Sequence, residues 1–208
     1  MDGAFVKKII KITICLFLII SALGILDLQK DKHTLQDRLV RLHVVGNSDS
    51  ATDQKIKLQV KDTIVAYLRP VMEKCATKEE AMQHIRDNLT QLQEISNQTL
   101  DRLGVKDRAK ITLQAEEFGK REYDTFSLPS GIYDALRIEI GEAKGKNWWC
   151  VAFPTLCVPA AGNGFADTAV SAGFSDTLSD TLTGTNGYQI RFFLLDCIGK
   201  LENLFHKG

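Results

Sequence analysis

The sequence has no excess of charge of either sign, because 26 lysine and arginine residues balance 26 aspartate and glutamate residues. Proteins that bind the phosphate backbone of a nucleic acid need a basic patch or stripe. We find no such stripe along the chain. The sequence therefore predicts neither a nucleic acid nor an anionic surface as the partner.

The sequence also lacks the short motifs of common enzymes and metal sites. It contains no His-Glu-x-x-His, no Gly-x-Ser-x-Gly, no Walker loop and no dinucleotide-binding glycine pattern. No two cysteines are separated by two residues, which argues against a zinc ribbon or a thioredoxin-type site. We therefore predict no cofactor and no metal.

One group of residues keeps a catalytic alternative open. His43 is followed by Asn47, Ser48 and Asp49, at the predicted end of a strand and start of a helix. An exported hydrolase would use His43 as a base for Ser48 or for Cys150. The stronger interpretation is structural, because Asn, Ser and Asp are the residues that cap helices and form strand-to-helix turns.

The N-terminus has the layout of an export signal. Three lysines precede an apolar run over residues 12–26, and polar residues begin at Asp27. The run is shorter than the roughly 20 residues that span a bilayer, although apolar residues from Phe5 onward lengthen it. We interpret residues 1–26 as a signal peptide cut after Gly24 or as a retained membrane anchor, with a buried core helix as the third alternative.

Four of the five cysteines follow this run, and an exported chain with an even number of cysteines is able to form disulfides. Cys150 and Cys157 are the most plausible pair, since Pro154 turns the chain between them. The competing interpretation is that both are small buried hydrophobic residues.

Four segments alternate apolar and polar residues in the manner of half-buried strands. They cover residues 38–45, 110–117, 134–140 and 147–153. Their apolar residues are expected on one side of a sheet, which leaves the other side mixed. The short run over 141–146 contains two glycines and predicts an antiparallel hairpin between the last two strands.

Apolar residues at helical spacing predict three amphipathic helices. The first covers residues 52–75 and the last begins near residue 190 and runs to the end of the chain. The second, over 77–103, starts with a capping box in which Thr77 is followed three residues later by Glu80.

Residues 158–188 differ in kind, since they contain no lysine, arginine or glutamate and are rich in small residues. The tetrapeptide Ser-Asp-Thr-Leu occurs twice in succession over residues 175–182. A segment of this composition buries too little apolar surface to offset its ordering entropy. We therefore predict a flexible insertion here.

Together these patterns predict an α+β fold. A four-stranded, mostly antiparallel sheet carries two long helices on one face and a C-terminal amphipathic helix, and a signal or anchor helix precedes it. The predicted domain organisation is a signal peptide or anchor at 1–26, a tether at 27–37, an α+β core domain at 38–157, the flexible insertion at 158–188 and a C-terminal helix packing on the core at 189–208.

The mixed side of the sheet is the candidate recognition surface. By strand alternation it carries Trp148 among charged side chains, and tryptophan and arginine are enriched at interface hot spots. The candidate partner-binding residues are Arg41, His43, Asn47, Asp49, Arg137, Glu139 and Trp148. The alternative is that the C-terminal helix lies across this side and buries Trp148.

Several of these segments carry a family resemblance. They are Arg-Leu-His-Val-Val at 41–45 with Asn-Ser-Asp-Ser at 47–50, Leu-Arg-Ile-Glu-Ile-Gly-Glu at 136–142, Gly-Lys-Asn-Trp-Trp-Cys-Val-Ala-Phe-Pro at 145–154, and Ile-Arg-Phe-Phe at 190–193. By these motifs the chain resembles the stage II sporulation protein R family of endospore-forming bacteria.

The resemblance implies a signalling protein and not an enzyme. Members are made in the forespore and exported to the space between the two membranes. There they trigger a membrane-embedded aspartic protease of the mother cell, which cleaves the inactive precursor of a sporulation sigma factor. The expected partners are that protease and, if the N-terminal segment stays uncleaved, the membrane itself.

Overall fold

The computed structural model describes residues 3–154, 169, 173–184 and 189–206. Its elements, in chain order, are α1 Gly3–Arg38, β1 Val40–Val45, α2 Ala51–Met72, α3 Lys78–Asp87, α4 Leu89–Arg102, β2 Ala109–Phe118, β3 Arg121–Glu122, β4 Ser127–Leu128, β5 Gly131–Ile140, β6 Asn147–Phe153, α5 Asp176–Thr183 and α6 Gln189–His206. The predicted mixture of helices and a four-stranded sheet behind an N-terminal apolar helix is confirmed.

The main sheet is mixed, with strand order β2-β5-β1-β6. Its outer pairs, β2 with β5 and β1 with β6, are antiparallel, but the central pair of β1 and β5 is parallel. The predicted hairpin between the last two strands is wrong, because β1 lies between β5 and β6. All six residues of β1 are buried, and a strand buried on both faces needs a central position.

Helices α2, α3 and α4 cover one face of this sheet, which we call the helix-covered face. An apolar core, which we call the helix-covered core, lies between these helices and the sheet. The alternate residues Val40, Leu42 and Val44 of β1 all belong to it. The predicted second helix is interrupted at Asn88, which separates α3 from α4. Its predicted start is confirmed, since the backbone N–H of Glu80 donates to Oγ1 of Thr77 at 3.2 Å.

The opposite face, called the mixed face below, is partly covered by α1, the β3–β4 ribbon, α5 and α6. These elements form a second apolar core around Tyr133, Ala135 and Val151. The predicted tether at 27–37 is helical, because α1 continues unbroken to Arg38 and buries Leu35 completely. The C-terminal part of α1 is therefore part of the folded domain.

The tandem repeat is helical as well, because helix α5 lies within the described residues 173–184 of the segment predicted to be flexible. Ser175 caps α5 by accepting a hydrogen bond from the backbone N–H of Leu178 at 3.1 Å. The four-residue period places Leu178 and Leu182 on one side of the helix, where both are 1% exposed. Composition alone missed this, because it counts residues without regard to the face they share.

Helix α1 also has the properties of a membrane-crossing segment. Over the described parts of the chain, only the stretch Phe5–Arg38 is a helix long and apolar enough to cross a membrane. Its most apolar window has no buried residue. A signal sequence near the N-terminus has the same properties, so length and composition fit both a signal peptide and an anchor.

Candidate functional site

The open part of the mixed face holds a group of charged side chains that we call the polar cluster: His43, Glu116, Arg137 and Glu139. Strand pairing sets its layout, since His43 lies beside Arg137 of β5 on one side and beside Trp149 of β6 on the other. The cluster therefore draws on three neighbouring strands, and Glu116 reaches it diagonally from β2.

Arg137 joins the two carboxylates of the polar cluster. Its Nη1 donates to Oε1 of Glu116, and its Nε and Nη2 donate to Oε1 of Glu139 at 3.0 and 2.9 Å. The same Oε1 of Glu116 lies 2.7 Å from Nδ1 of His43. Charge-assisted bonds of this kind are stronger than neutral ones, so the cluster is a well-ordered network.

Aromatic stacking extends the polar cluster toward the edge strand β6. The ring of His43 stacks on that of Trp149, with ring centres 5.3 Å apart. The guanidinium carbon of Arg121, from the β3–β4 ribbon, lies 3.4 Å from the centre of the Trp149 ring. This contact is a cation–π interaction.

Burial separates an inner from an outer part of the polar cluster. The side chain of His43 is 6% exposed and that of Glu116 is 14% exposed, whereas those of Arg137 and Glu139 are 25% and 24% exposed. Lys110 beside them is largely exposed. Arg137, Glu139 and Lys110 are therefore the most accessible charged groups of this region.

The charge state of Glu116 depends on these neighbours. Burial alone would raise the pKa of its carboxyl group, but the hydrogen bonds and charges of His43 and Arg137 outweigh burial and hold the pKa below its ordinary value of 4.5. The carboxylate form is thus the one that the folded chain favours.

We expect this network to make stability depend on acid. Because the pKa of Glu116 is lower in the folded chain, the unfolded chain takes up the proton first as the pH falls, so the contribution is present above about pH 4.5 and lost below it. In Glu116→Gln the free energy of unfolding should therefore decrease less between about pH 6 and about pH 3 than in the parent. Equal acid dependence in denaturant titrations of the two proteins would contradict the network.

Arg41 was predicted to be a partner-binding residue, but its side chain is buried and its contacts are structural. It is 0% exposed, and its guanidinium carbon lies 4.1 Å from the centre of the Phe118 ring. Its Nη2 donates to the hydroxyl of Tyr123 at 2.8 Å, and its Nε donates to the carbonyl of Cys150 at 3.4 Å. Arg41 joins the β3–β4 ribbon to the sheet and is not accessible at the surface.

Asn47 and Asp49 hold together two loops at the end of β1. Oδ1 of Asn47 accepts from the backbone N–H of Glu142 at 2.9 Å, and Oδ1 of Asp49 accepts from that of Lys146 at 2.6 Å. The 141–146 loop must cross the end of β1 to connect β5 with β6. A Cβ at Gly145 would overlap the backbone of Ser48, so this crossing requires a glycine.

Replacing Asn47 with alanine should lower the free energy of unfolding by about 0.5–1.5 kcal/mol, because the exposed N–H of Glu142 loses its protein acceptor and binds water instead. Denaturant titration of purified protein measures this change. Glu142→Ala is the matched control, since it removes an exposed side chain in the same loop and keeps the backbone N–H. The control should change stability by less than about 0.5 kcal/mol, and an equal loss in both variants would contradict the docking role of Asn47.

Trp148 lies on the face opposite to the one predicted. Strand pairing sets it opposite Val44, on the helix-covered face, where Nζ of Lys61 in α2 is 4.7 Å from the centre of its ring. Trp149, and not Trp148, lies on the mixed face beside His43. The alternation within β6 was predicted, but the sequence contains no signal for its register with β1, and a shift of one residue exchanges the two faces.

The residues proposed for a hydrolase are not assembled. Nδ1 of His43 is engaged with Glu116, and Oγ of Ser48 donates to the carboxylate of Asp53 in a helix cap. Cys150 is disulfide-bonded and belongs to the helix-covered core, so it has no free thiol to serve as a nucleophile. Its predicted partner, Cys157, lies outside the described residues.

No group of three or more His, Cys, Asp or Glu side chains suited to a metal ion occurs within the residues that the structure describes. Sequence reasoning missed Glu116, Arg121 and Trp149 as members of the site. Glu116 could have been found from the sequence, because the alternation of residues 110–117 places it on the mixed face. Arg121 could not have been found in this way, since it lies between the predicted strands at 110–117 and 134–140 and outside both.

Fold and site together define an α+β domain with a charged, aromatic surface, carried behind an N-terminal apolar helix that suits a signal peptide or anchor. A family model described as stage II sporulation protein R matches residues 36–163, and the chain belongs to that family.

Among curated proteins, the chain is 27% identical over 222 residues to stage II sporulation protein R of Bacillus subtilis (strain 168). The similarity covers 94% of this chain and 99% of that protein. No solved structure matches the chain. Family membership and this relative give the chain a role in sporulation.

Proposed function

We propose that this chain is an exported signalling protein that activates a membrane-embedded aspartic protease of the mother cell, and that the protease then processes a sigma-factor precursor. The observation that carries the proposal is the family match over residues 36–163, which includes the whole main sheet. The apolar helix α1 supports export from the forespore toward the intermembrane space.

We further propose that the mixed face contacts the extracytoplasmic loops of the protease through the outer part of the polar cluster with Trp149 and Arg121. Arginine and tryptophan supply most of the binding energy at many interfaces. Arg137 and Glu139 lie at the surface, and the buried pair of His43 and Glu116 holds them from below. Binding would activate the protease only if its active state has the higher affinity for this surface.

The test is reconstitution in a cell that contains no other sporulation protein. The full chain is coexpressed with the candidate protease and its sigma-factor precursor, and cleavage of the precursor is followed by immunoblot. We expect cleavage only when both proteins are present. Absence of cleavage, with the chain and the protease both shown to reach the membrane, would contradict direct activation.

The same assay separates a ligand from an enzyme. An enzyme that used His43 as its base would lose essentially all activity in His43→Gln. A binding surface would lose at most about one hot spot, or 2–4 kcal/mol, and the loss would be recovered by raising the concentration of the chain. We expect the second result.

A further inference from the structure

Helix α6 exposes an apolar stripe that the folded domain does not use. Leu195 and Gly199 face the domain and are buried, whereas the apolar residues on the other side are 43% to 84% exposed. These exposed residues are Ile190, Phe193, Leu194, Leu201, Leu204 and Phe205. Their spacing of three, four and seven residues places them on one side of the helix.

Ion pairs fix the start of α6 against α1 at the point where the apolar run ends. Nη2 of Arg191 lies 2.8 Å from Oδ2 of Asp27 and 2.5 Å from Oδ2 of Asp31. Asp27 is the first charged residue after the apolar run. Further along α6, Glu202 pairs with Lys32 of α1 at 2.9 Å. The two helices are therefore joined through charged groups just beyond the apolar segment.

The length of that segment places this junction at a membrane surface. Residues 9–26 of α1 contain one charged residue, Lys11, whose long side chain extends toward the headgroups, and at a rise of 1.5 Å per residue they extend about 27 Å. The hydrocarbon core of a bilayer is about 30 Å thick. With α1 across the bilayer, Asp27 lies at the level of the headgroups. Ile190, Phe193 and Leu194 lie within one helical turn of Arg191 and reach the same level.

We propose that the membrane-proximal part of the apolar side of α6, with Ile190, Phe193 and Leu194, lies in the interface of the bilayer that α1 crosses, on the same side of the membrane as the folded domain. Amphipathic helices bury their apolar side at the boundary between headgroups and acyl chains in this way. Arg191 and Glu202 of α6 pair with charged groups of α1, and Lys200 pairs with Asp196 of its own helix. The membrane contact is therefore apolar and does not need anionic lipid.

At the membrane-proximal end of α6, the bilayer explains the exposed apolar stripe better than a protein partner does. An exposed apolar patch of this kind marks a membrane or protein contact. The lipid surface is already beside Ile190 and Phe193 once α1 crosses the bilayer, whereas a second copy or a partner would have to displace that lipid. This proposal does not depend on protease activation, because it concerns only how the domain sits on its own membrane.

Tryptophan quenching by lipid tests the proposal. The full chain, carrying Phe193→Trp, is reconstituted in vesicles of phosphatidylcholine with or without brominated acyl chains. The quenching of the parent, which arises from Trp148 and Trp149, is measured in the same way. Ile190→Trp serves as a second probe of the same end of α6. Leu58→Trp is the matched control, because Leu58 is 37% exposed on α2, beyond the opposite face of the sheet.

We expect both α6 probes to lose a larger fraction of their emission in brominated vesicles than the parent and the Leu58→Trp control. Quenching at Phe193→Trp no greater than at Leu58→Trp would overturn the proposal. So would a blue-shifted emission that bromine does not quench, since that result means burial against protein, such as a second copy. All substituted positions are exposed, so folding should be preserved and is checked by circular dichroism.

Discussion

Replacing Gly199 with alanine should displace α6 from the sheet and lower the free energy of unfolding by about 3 kcal/mol. A Cβ at Gly199 would overlap the carbonyl group of Ser130, the residue just before β5. Backbone atoms cannot move aside as a side chain can, so the strain falls at the upper end of the usual cost of overpacking, about 1–3 kcal/mol. The same contact is held by Asp196, whose Oδ1 accepts from the N–H of Ser130 at 2.8 Å.

Denaturant unfolding of the full chain in detergent micelles, followed by tryptophan fluorescence, measures this loss. Gly24→Ala is the matched control, because Gly24 is also helical and a Cβ there meets no atom within 4 Å. The control should change stability by no more than about 1 kcal/mol. If Gly199→Ala unfolds like the parent, α6 does not pack against Ser130 in solution.

The second large effect is expected at neighbouring tryptophans on opposite faces of β6. If the mixed face binds the protease, Trp149→Ala should reduce the apparent affinity of activation by about 30-fold or more, the equivalent of a hot spot of at least about 2 kcal/mol. Trp148→Ala should leave affinity nearly unchanged, since Trp148 packs near Lys61 on the helix-covered face. The measurement is precursor cleavage as a function of the amount of exported chain.

Stability must be measured alongside activation, because Trp149 also packs against the second apolar core. Arg137→Lys provides a variant that keeps the positive charge but loses the planar fork that joins Glu116 to Glu139. It should weaken activation in the same direction as Trp149→Ala. If Trp148→Ala abolishes activation and Trp149→Ala does not, the contact surface lies on the other side of the sheet.

Much of the local structure could be predicted from the sequence. The alternation of Val40, Leu42 and Val44 identified β1 and the side of it that faces the core. The spacing of Thr77 and Glu80 located the start of α3. These features depend on side chains within a few residues of one another, so a local pattern contains the information.

The candidate site was only partly predictable. His43, Arg137 and Glu139 were placed on the right face, because apolar and polar residue types alternate along β1 and β5. Trp148 was placed on the wrong face. Arg41 was on the right face but in its covered part, and no local pattern shows which part of a sheet another element will cover.

The sequence by itself determined the four strands of the main sheet, its amphipathic helical segments, the apolar N-terminal segment and the membership of a sporulation family, since each rests on residue types at short spacing or on direct similarity. The tertiary structure alone decided that β1 separates β5 from β6, that Trp149 and not Trp148 joins His43, and that α6 lies beside α1. Strand order and register depend on contacts between residues distant in the chain. Those contacts are set by the burial of whole faces, which no short segment records.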